Sequence, residues 1–382
     1  MQSVTPQFLN ALNYSQQPID RVDVWRGGAL VASDLAIASG SVSTSGGNGQ
    51  VVRTSVTLTV IDKDGSLVPN APEDPLAPFG SELQIQMGLK IGTGTELLNQ
   101  GFFPIVSTTI DEEHFPLVRP DEPDTTYWVS RGATLDIDAT DRILNIESNK
   151  FIYREQPSKP DVWAEAGSLL SDNKPPFGGV MGWVGNAFIP STVTYDLDRL
   201  KALLDLGEVI NADCLVDCWG SFRFITRAET SPVWRLSAGQ FSVLKSTKRQ
   251  ITRDGVYNGA VETGATVNDL PLRAVRIITT GPLAWGGPFG KVALQHASSL
   301  LDSQASVETG VVSVLKRAST ITPQSIPIEC IRNPALQWGD YIELPTRMGF
   351  IKARVIKLDF PFGVETMSMT VSADPFMLRG LL

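Results

Sequence analysis

The sequence predicts a mainly β protein with a smaller α+β part, and three observations support this fold class. Residues 51–61 (VVRTSVTLTVI) alternate apolar and polar side chains with the period of two that a half-buried strand requires. The Gly27-Gly28 pair separates two strand-like runs and is typical of a tight hairpin turn. Residues 194–207 (TYDLDRLKALLDLG) place leucines at helical spacing instead. In chain order, these patterns predict two β modules that flank a smaller mixed insert.

The first module is predicted at residues 1–150 and consists of successive hairpins. A short amphipathic segment around Phe8 precedes the Gly27-Gly28 hairpin, and the 51–61 strand ends before a turn at Gly65. Further strands are predicted at 82–91, 98–110 and 125–143.

Four prolines recur at every third position in residues 68–80 (VPNAPEDPLAPFG). This is the repeat of a polyproline II helix, which has three residues per turn. We therefore expect an extended crossover on the surface here, to which a partner could also dock.

The insert is predicted at residues 151–230, where helical patterns interrupt the strands. One short helix is expected at 161–172 and a longer one at 194–207, with Thr194 as its N-cap and Gly207 as its end. A hairpin should follow, because Gly220-Ser221 separates two strand-like runs and suits a type II′ turn.

The second module is predicted at residues 231–382 and returns to the β pattern. Strands are expected at 255–264 and 272–280, and a helix between Val292 and Ser319. Two long alternating strands close the chain at 348–360 and 364–373.

Composition excludes several classes of protein. A hydrophobic fraction of 42% with 19% charged residues describes a globular chain, and 382 residues suggest two to four compact units. The net charge of -9 argues against sequence-specific nucleic-acid binding, which depends on clustered Lys and Arg. No apolar run reaches the roughly 20 residues of a membrane helix. Because no Lys or Arg precedes Arg21, we also expect no cleaved signal peptide.

The motifs of catalysis and of cofactor or metal binding are missing from the sequence. The two histidines, His114 and His296, lie in no recognisable catalytic motif. Cys214 and Cys218 lie in one predicted strand, roughly 13 Å apart, which is too far for a disulfide. They also lack further ligands at zinc spacing. We therefore predict no enzyme activity, no cofactor and no metal site.

Aspartates are the one set of residues that leaves an alternative open. Asp136 and Asp138 share one face of a predicted strand, where they could act as a glycosidase pair or bind Ca²⁺. The favoured interpretation is a solvent-facing stripe opposite Leu135 and Ile137. Asp62 and Asp64 in DKDGS resemble the start of a calcium loop, but the remaining ligands are missing and a turn is sufficient.

Two loops rich in Gly, Pro and aromatic residues are candidate interfaces, at 174–190 and 280–291. Aromatic side chains are enriched at binding hot spots. An alternative of equal weight is that these side chains fold back on the core of their own domain. The candidate interface residues are Trp183, Phe188, Trp285 and Phe289.

The order of these elements resembles that of the tail-hub proteins found at the baseplate or tail tip of tailed phages. Each motif alone is ordinary β-hairpin sequence, and their order carries the resemblance over most of the chain. The motifs are IASGSVSTS (37–45), VVRTSVTLTVID (51–62), DPLAPFGSELQIQMGL (74–89), QGFFPI (100–105), DIDATDRI (136–143), DCWGSFRF (217–224), VYNGAVETG (256–264) and NPALQWGDYIEL (333–344).

This resemblance implies a homotrimer with two β-barrel-like domains per subunit, which together form a pseudo-sixfold ring. Such a ring would join the hexameric tail tube or distal tail ring to threefold tip or fibre proteins, beside the tape measure protein. DNA would pass through its channel, and an acidic lining would let the genome slide. The implied location is the tail tip of the virion, after assembly in the host cytoplasm.

Two other functions remain open at the level of sequence. A distal tail or adaptor ring protein would have similar β-barrel strands but would lack the helix-containing insert. A glycan-binding or glycan-cleaving tail protein would use Asp136, Asp138 or the tryptophans against host-surface sugars.

Overall fold

The computed structural model describes residues 1–14, 16–47, 50–171, 180–181, 185–190, 193–237, 242–247, 253–267, 270–319, 324–346 and 349–373. The helices are α1 (Pro6–Ala11), α2 (Ile143–Ser148), α3 (Val162–Leu170), α4 (Arg199–Val209) and α5 (Gln304–Ser319). The strands are β1 (Pro18–Arg26), β2 (Ala29–Ala32), β3 (Ile37–Gly47), β4 (Gln50–Asp62), β5 (Ser81–Ile91), β6 (Gly94–Arg119), β7 (Glu122–Thr140), β8 (Val180–Met181), β9 (Ala212–Val216), β10 (Phe222–Thr226), β11 (Trp234–Arg235), β12 (Leu244–Thr247), β13 (Gly259–Val267), β14 (Leu270–Ile277), β15 (Ala293–Ala297), β16 (Gln324–Ile331), β17 (Tyr341–Thr346), β18 (Gly349–Pro361) and β19 (Thr366–Ala373).

Most of the strands belong to one large sheet of 13 strands. Its order is β12-β16-β19-β18-β3-β4-β7-β6-β5-β1-β2, with β17 paired to β18 and β11 paired to β17. Neighbours along this path are antiparallel. The path has two separate ends, so the described strands do not close into a barrel. The predicted class, mainly β with a smaller α+β part, is confirmed.

The pairing of β3 with β18 joins the N-terminal strands to the C-terminal strands. It runs from Lys357 opposite Ser45 to Pro361 opposite Ser41. One hydrophobic core consequently contains buried residues from both ends of the chain, such as Leu58 and Val355. The division of the chain at residues 150 and 230 stays a prediction.

The hairpins of the first module form where the sequence indicates them. Gly27 and Gly28 have φ angles of 58° and 83°, and they connect β1 to β2 as the predicted tight turn. On β4 and β7, the apolar side chains of the alternating pattern are buried, including Leu58 and Leu135. Burying one such side chain stabilises the fold by about 1.5–3 kcal/mol.

The predicted polyproline II crossover at 68–80 is wrong. The segment folds as successive turns, with the amides of Asp74 and Ala77 donating to the carbonyls of Ala71 and Asp74 at 3.1 Å. A polyproline II helix has no such internal hydrogen bonds. The Asp74 carboxylate stabilises the turns by accepting from the amides of Asn70 (2.6 Å) and Ala71 (2.7 Å). Leu76 is thereby buried in the core.

Helices α3 and α4 of the predicted insert pack together with α2, which precedes residue 151, on the small sheet β8-β10-β9. The predicted cap at Thr194 is wrong, because Asp198 accepts the amide of Lys201 (2.9 Å) and begins α4. The helix also continues through Gly207 to Val209. A Cβ atom on Gly207 would lie 2.8 Å from Cys214 Sγ, so the glycine permits close packing of α4 on β9 and does not end the helix.

The β9–β10 hairpin is confirmed, but the predicted two-residue turn is wrong. Val216 pairs with Phe222, so five residues form the loop. The Asp217 carboxylate accepts the amides of Trp219 (2.9 Å) and Ser221 (2.8 Å), which favours this longer loop.

A third sheet, β14-β13-β15, packs against α5 on one face. Buried Ala260 and Ala274 contact Val307, Val311 and Val314 of the helix. The predicted helix between Val292 and Ser319 is thus confirmed. In the part of the chain that the structure describes, no helix is long and apolar enough to cross a membrane.

A network of ion pairs connects the insert to the rest of the protein. Arg227 contacts Asp213 (2.8 Å) and Glu208 (2.6 Å) within the insert. Glu208 also accepts from Arg317 of α5 (2.6 Å), and Asp213 accepts from Arg354 of β18 (3.1 Å). Two carboxylates therefore join three parts of the fold.

Candidate assembly surfaces

The Asp136 and Asp138 side chains lie on the solvent face of β7, as the favoured interpretation predicts. Leu135 and Ile137 are buried on the opposite face. Asp136 accepts from the Thr59 hydroxyl (2.7 Å), and Asp138 accepts from the Ser107 hydroxyl (3.0 Å). Their environment is a strand surface with hydroxyl neighbours.

Asp141, which directly follows the end of β7, is buried and has a structural role. Its carboxylate accepts from the backbone amides of Thr54 (2.6 Å) and Ile143 (3.1 Å), which connects β4 to the start of α2. Burial raises the pKa of Asp141 to about 7, although both amide hydrogen bonds oppose this shift.

Replacing Asp141 with asparagine should remove one pH-dependent contribution to stability. The unfolded chain ionises this carboxyl near 3.8, whereas the folded chain retains the proton until about pH 7. The native protein should therefore lose stability, by about 4 kcal/mol, as pH rises from about 4 to above 7. Urea unfolding of native protein and Asp141→Asn at several pH values measures this. A difference between the two proteins that stays constant with pH would contradict the assignment.

The three cysteines, Cys214, Cys218 and Cys330, are buried free thiols. Burial raises the pKa of all three, to about 11 for Cys218. In the described ranges, no cluster of three His, Cys, Asp or Glu side chains could hold a metal ion.

The two histidines lie in different environments. His296 on β15 hydrogen-bonds through Nδ1 to the buried Glu262 carboxylate (2.8 Å), and this hydrogen bond raises the pKa of His296 above its ordinary value. His114 lies on the exposed part of β6, with Nε2 3.5 Å from Glu112. The His296–Glu262 pair lies in the small sheet, where it contributes to the structure of that unit.

The structure separates the predicted interface aromatics. Phe188 is 72% exposed. Its backbone forms an isolated β-bridge with Asp161, the N-cap residue of α3. Trp285 packs over Gly259, where a Cβ atom would lie 2.5 Å from the indole ring. Phe289 lies under the Arg253 guanidinium, 5.3 Å from the ring centroid. Trp183 falls outside the described residues. Phe188 thus has the exposure expected of an interface residue, whereas Trp285 and Phe289 contact their own domain.

One face of the large sheet carries mainly hydroxyl and carboxylate side chains, and we call it the hydroxyl face. Residues paired across β3, β4, β7 and β6 point to the same side, as directly opposite residues do in antiparallel sheets. The face includes Ser39, Ser41, Ser43, Thr57, Thr59, Ser107, Thr109, Thr134, Asp136 and Asp138, and the same pairing places Arg53 and Lys357 at its margin. It is an acidic surface whose side chains form hydrogen bonds with one another. The alternation in SGSVSTS and TSVTLT was the sequence signal for it.

The far end of the β6–β7 hairpin extends beyond the sheet, and we call residues 111–130 the tip ribbon. β4 pairs with β7 only as far as Ala133, and β5 pairs with β6 only as far as Pro104. From His114 to Arg119 no other described strand pairs with β6 or β7, and the two strands pair with each other over roughly 20 Å. Isolated two-stranded hairpins are marginally stable in water, so this ribbon is suited to docking against another surface.

Apolar side chains are exposed along the tip ribbon. Trp128 is 67% exposed, and Phe115 and Leu117 are also exposed. Aromatic residues exposed on an extended arm are typical of interface anchors. The sequence analysis missed these residues because the pattern marks the strands but does not show where their neighbours stop.

The complete fold resembles known tail proteins. The tail protein from Neisseria meningitidis MC58 matches with a TM-score of 0.60 over 93% of this chain and 97% of that chain, at 10% identity. The 43 kDa tail protein of prophage MuSo2 from Shewanella oneidensis matches with a TM-score of 0.50 over 93% and 98%, also at 10% identity. The chain has a phage tail-protein fold. This confirms, at the level of fold, the resemblance based on the order of sequence motifs.

The tail-protein fold also occurs within a larger chain. In the half-lidded PdpA–VgrG complex from Francisella, a chain matches with a TM-score of 0.51 and 10% identity over 94% of this chain and 58% of that chain. No protein-family profile and no curated protein sequence matches the present chain. The similarity to tail proteins is therefore a similarity of fold, detected by comparing structures.

Proposed function

We propose that this chain is a structural hub protein of a phage tail tip and that it acts by assembly, without catalysis. The observation that carries the proposal is the match of nearly the whole chain to nearly the whole tail protein from Neisseria meningitidis MC58. A fold match over the full length supports a similar role better than a shared module would. The hydroxyl neighbours of Asp136 and Asp138 favour a surface role over an acid–nucleophile pair.

The proposed assembly is a homotrimer with pseudo-sixfold symmetry. The β3–β18 pairing joins an N-terminal half of the large sheet to a C-terminal half. Two sheet halves in each of three protomers would supply six similar surfaces. Such a ring would match a hexameric tail tube or distal tail ring on one side and threefold tip or fibre proteins on the other, next to the tape measure protein.

The hydroxyl face is the surface that we assign to the DNA channel. Phosphate affinity depends on Lys and Arg, and a wall of hydroxyl and carboxylate groups would leave DNA free to slide. The net charge of -9 is consistent with such a wall. The proposed location is the tail tip of the virion, after assembly in the host cytoplasm.

Mass measurement and negative-stain imaging of the purified protein test the assembly. We expect a particle of three protomers of 41.4 kDa each, with a central opening lined by the hydroxyl face. The measurement should extend to high protein concentration, because the contact between copies could be weak without the other tail proteins. A hexameric ring would instead indicate a distal tail or adaptor protein. A map with the hydroxyl face away from the opening would contradict the channel assignment.

The Phe188→Ala substitution tests the exposed interface aromatic. Because the ring is mostly in solvent, its removal should change the free energy of unfolding of the protomer by less than about 0.5 kcal/mol. We expect weaker association with tail partners or with other copies, measured by sedimentation. Phe151→Ala is the matched comparison, since it removes a buried ring stacked on Tyr195 and should destabilise the protomer more. Unchanged assembly with a destabilised Phe188→Ala protomer would contradict an interface role.

A further inference from the structure

Among the residues that the structure describes, the helix packed on the small sheet β14-β13-β15 is α5, which covers one of its two faces. Alternate residues Ala260 and Ala274 contact α5, so their neighbours Val261 and Val275, which pair with each other, point to the opposite side. We call that side the outer face. Val275 is 55% exposed and Ile277 is also exposed on it. A two-layer unit with an apolar outer face has an incomplete core on that side.

Trp285 extends the outer face at one end. It lies over Gly259, which is paired with Ile277 and shares the side of Val261. The indole is half-buried and leaves part of its ring available. The outer face is therefore a contiguous apolar surface of Val261, Val275, Ile277 and Trp285.

Positive charge borders this apolar surface. Arg273 is paired with Thr263 and shares the outer face with Val275, and its side chain is exposed. Arg276 is paired with Ala260 and therefore lies on the α5 side of the sheet. A ligand for the outer face should therefore combine apolar side chains with carboxylates.

The tip ribbon has this composition. Phe115 and Leu117 are exposed on one face of the ribbon, and Trp128, which neighbours Tyr127 and pairs with Pro116, is exposed on the other face. Among the described side chains of the ribbon, the acidic residues are Asp111, Glu112, Glu113, Asp121 and Asp124, and the arginine is Arg119. The two surfaces are complementary in both hydrophobicity and charge.

We propose that the tip ribbon of one copy docks on the outer face of the small sheet of a second copy. Phe115 and Leu117 would cover Val275, Ile277 and Trp285, and Asp121 in the turn of the ribbon would face Arg273. Because two different surfaces meet, the contact is heterologous and forms a ring when its rotation closes. The inference rests on the proposed trimeric hub and identifies the surfaces that build it.

A charge exchange tests the contact. Arg273→Glu should raise the dissociation constant of the assembly about tenfold, because like charges would then meet. Asp121→Lys should weaken assembly similarly. Protein with both substitutions should recover association. Both side chains are exposed, so thermal unfolding of the protomer should be unchanged and serves as the folding control.

A disulfide between copies tests the same contact without relying on charge. Leu117→Cys protein is mixed with tagged Val275→Cys protein under mild oxidation, and we expect a covalent heterodimer on a non-reducing gel. The native cysteines are buried and contribute little background. Leu117→Cys mixed with Ile152→Cys is the matched control, since Ile152 is exposed and belongs to the predicted insert, not to the small sheet β14-β13-β15.

The outcomes separate this contact from the proposed function. A trimer that is unaffected by the charge reversals and yields no Leu117–Val275 disulfide overturns the contact and leaves the hub in place. A monomer or hexamer contradicts the trimeric hub. In that case the disulfide still decides the contact: its formation at high concentration supports ribbon docking, and its absence overturns it.

Discussion

Arg227→Ala is expected to lower the free energy of unfolding by about 3–5 kcal/mol. The guanidinium is largely buried and neutralises Asp213, whose side chain is fully buried, and Glu208. Burial raises the pKa of Glu208, but the hydrogen bond from Arg227 and the positive charges of Arg227 and Arg317 lower it further, so the carboxylate is held ionised. Removing Arg227 would leave two buried carboxylates without their main partner. Urea denaturation at neutral pH measures the loss.

Arg154→Ala is the matched control for Arg227→Ala. Arg154 pairs with Asp196 at 3.6 Å, and both side chains are mostly in solvent. Exposed ion pairs contribute little, so the change should be below about 1 kcal/mol. Similar losses of unfolding free energy in Arg227→Ala and Arg154→Ala would contradict a stabilising role for the ion pairs of Glu208 and Asp213.

Arg332→Met is the second large effect, with an expected loss of about 3–5 kcal/mol. Arg332 is fully buried and pairs with the Asp20 carboxylate of β1. Asp20 also accepts the amide of Gly363 (2.7 Å), so the pair connects β1 to the turn between β18 and β19. Methionine retains much of the side-chain volume and leaves Asp20 without its cation.

A double-mutant cycle isolates the Arg332–Asp20 interaction. Asp20→Asn removes the charge that Arg332 neutralises, so the variant with both substitutions should be more stable than the sum of the two single losses predicts. Thermal or urea unfolding of all four proteins gives the coupling energy. Strictly additive losses would mean that Arg332 stabilises the fold by packing alone.

The local patterns of the sequence were sufficient for most strands. Period-two alternation in β4 and β7 follows from burial of one face, and the Gly27-Gly28 turn follows from backbone conformations that glycine adopts easily. The predictions of local structure were wrong where an aspartate carboxylate accepted backbone amide hydrogen bonds and so favoured a different turn or helix start. Asp74 organised turns in place of a polyproline helix, Asp198 displaced Thr194 as the cap, and Asp217 lengthened the β9–β10 loop.

The candidate surfaces were less accessible from sequence. The interface aromatics were predicted from residue type alone. Trp285 instead packs over Gly259, because a glycine at that position has no side chain and leaves room for the indole ring. The two residues are 26 positions apart, so the sequence pattern did not reveal the contact. The tip ribbon was missed because the sequences of its strands resemble those of any other hairpin. The ends of β4 and β5 show that, among the described strands, the ribbon extends beyond its neighbours in the sheet.

The sequence by itself determined the fold class, the positions of most strands and helices, the acidic net charge and the solvent-facing stripe of Asp136 and Asp138. These properties depend on side chains within a few residues of one another. The tertiary structure decided that β3 pairs with β18, that Arg227 and Arg332 connect distant segments, and which apolar side chains remain exposed. Such contacts join residues up to more than 300 positions apart, as in Asp20 and Arg332, and pairing over that distance depends on the packing of the whole chain.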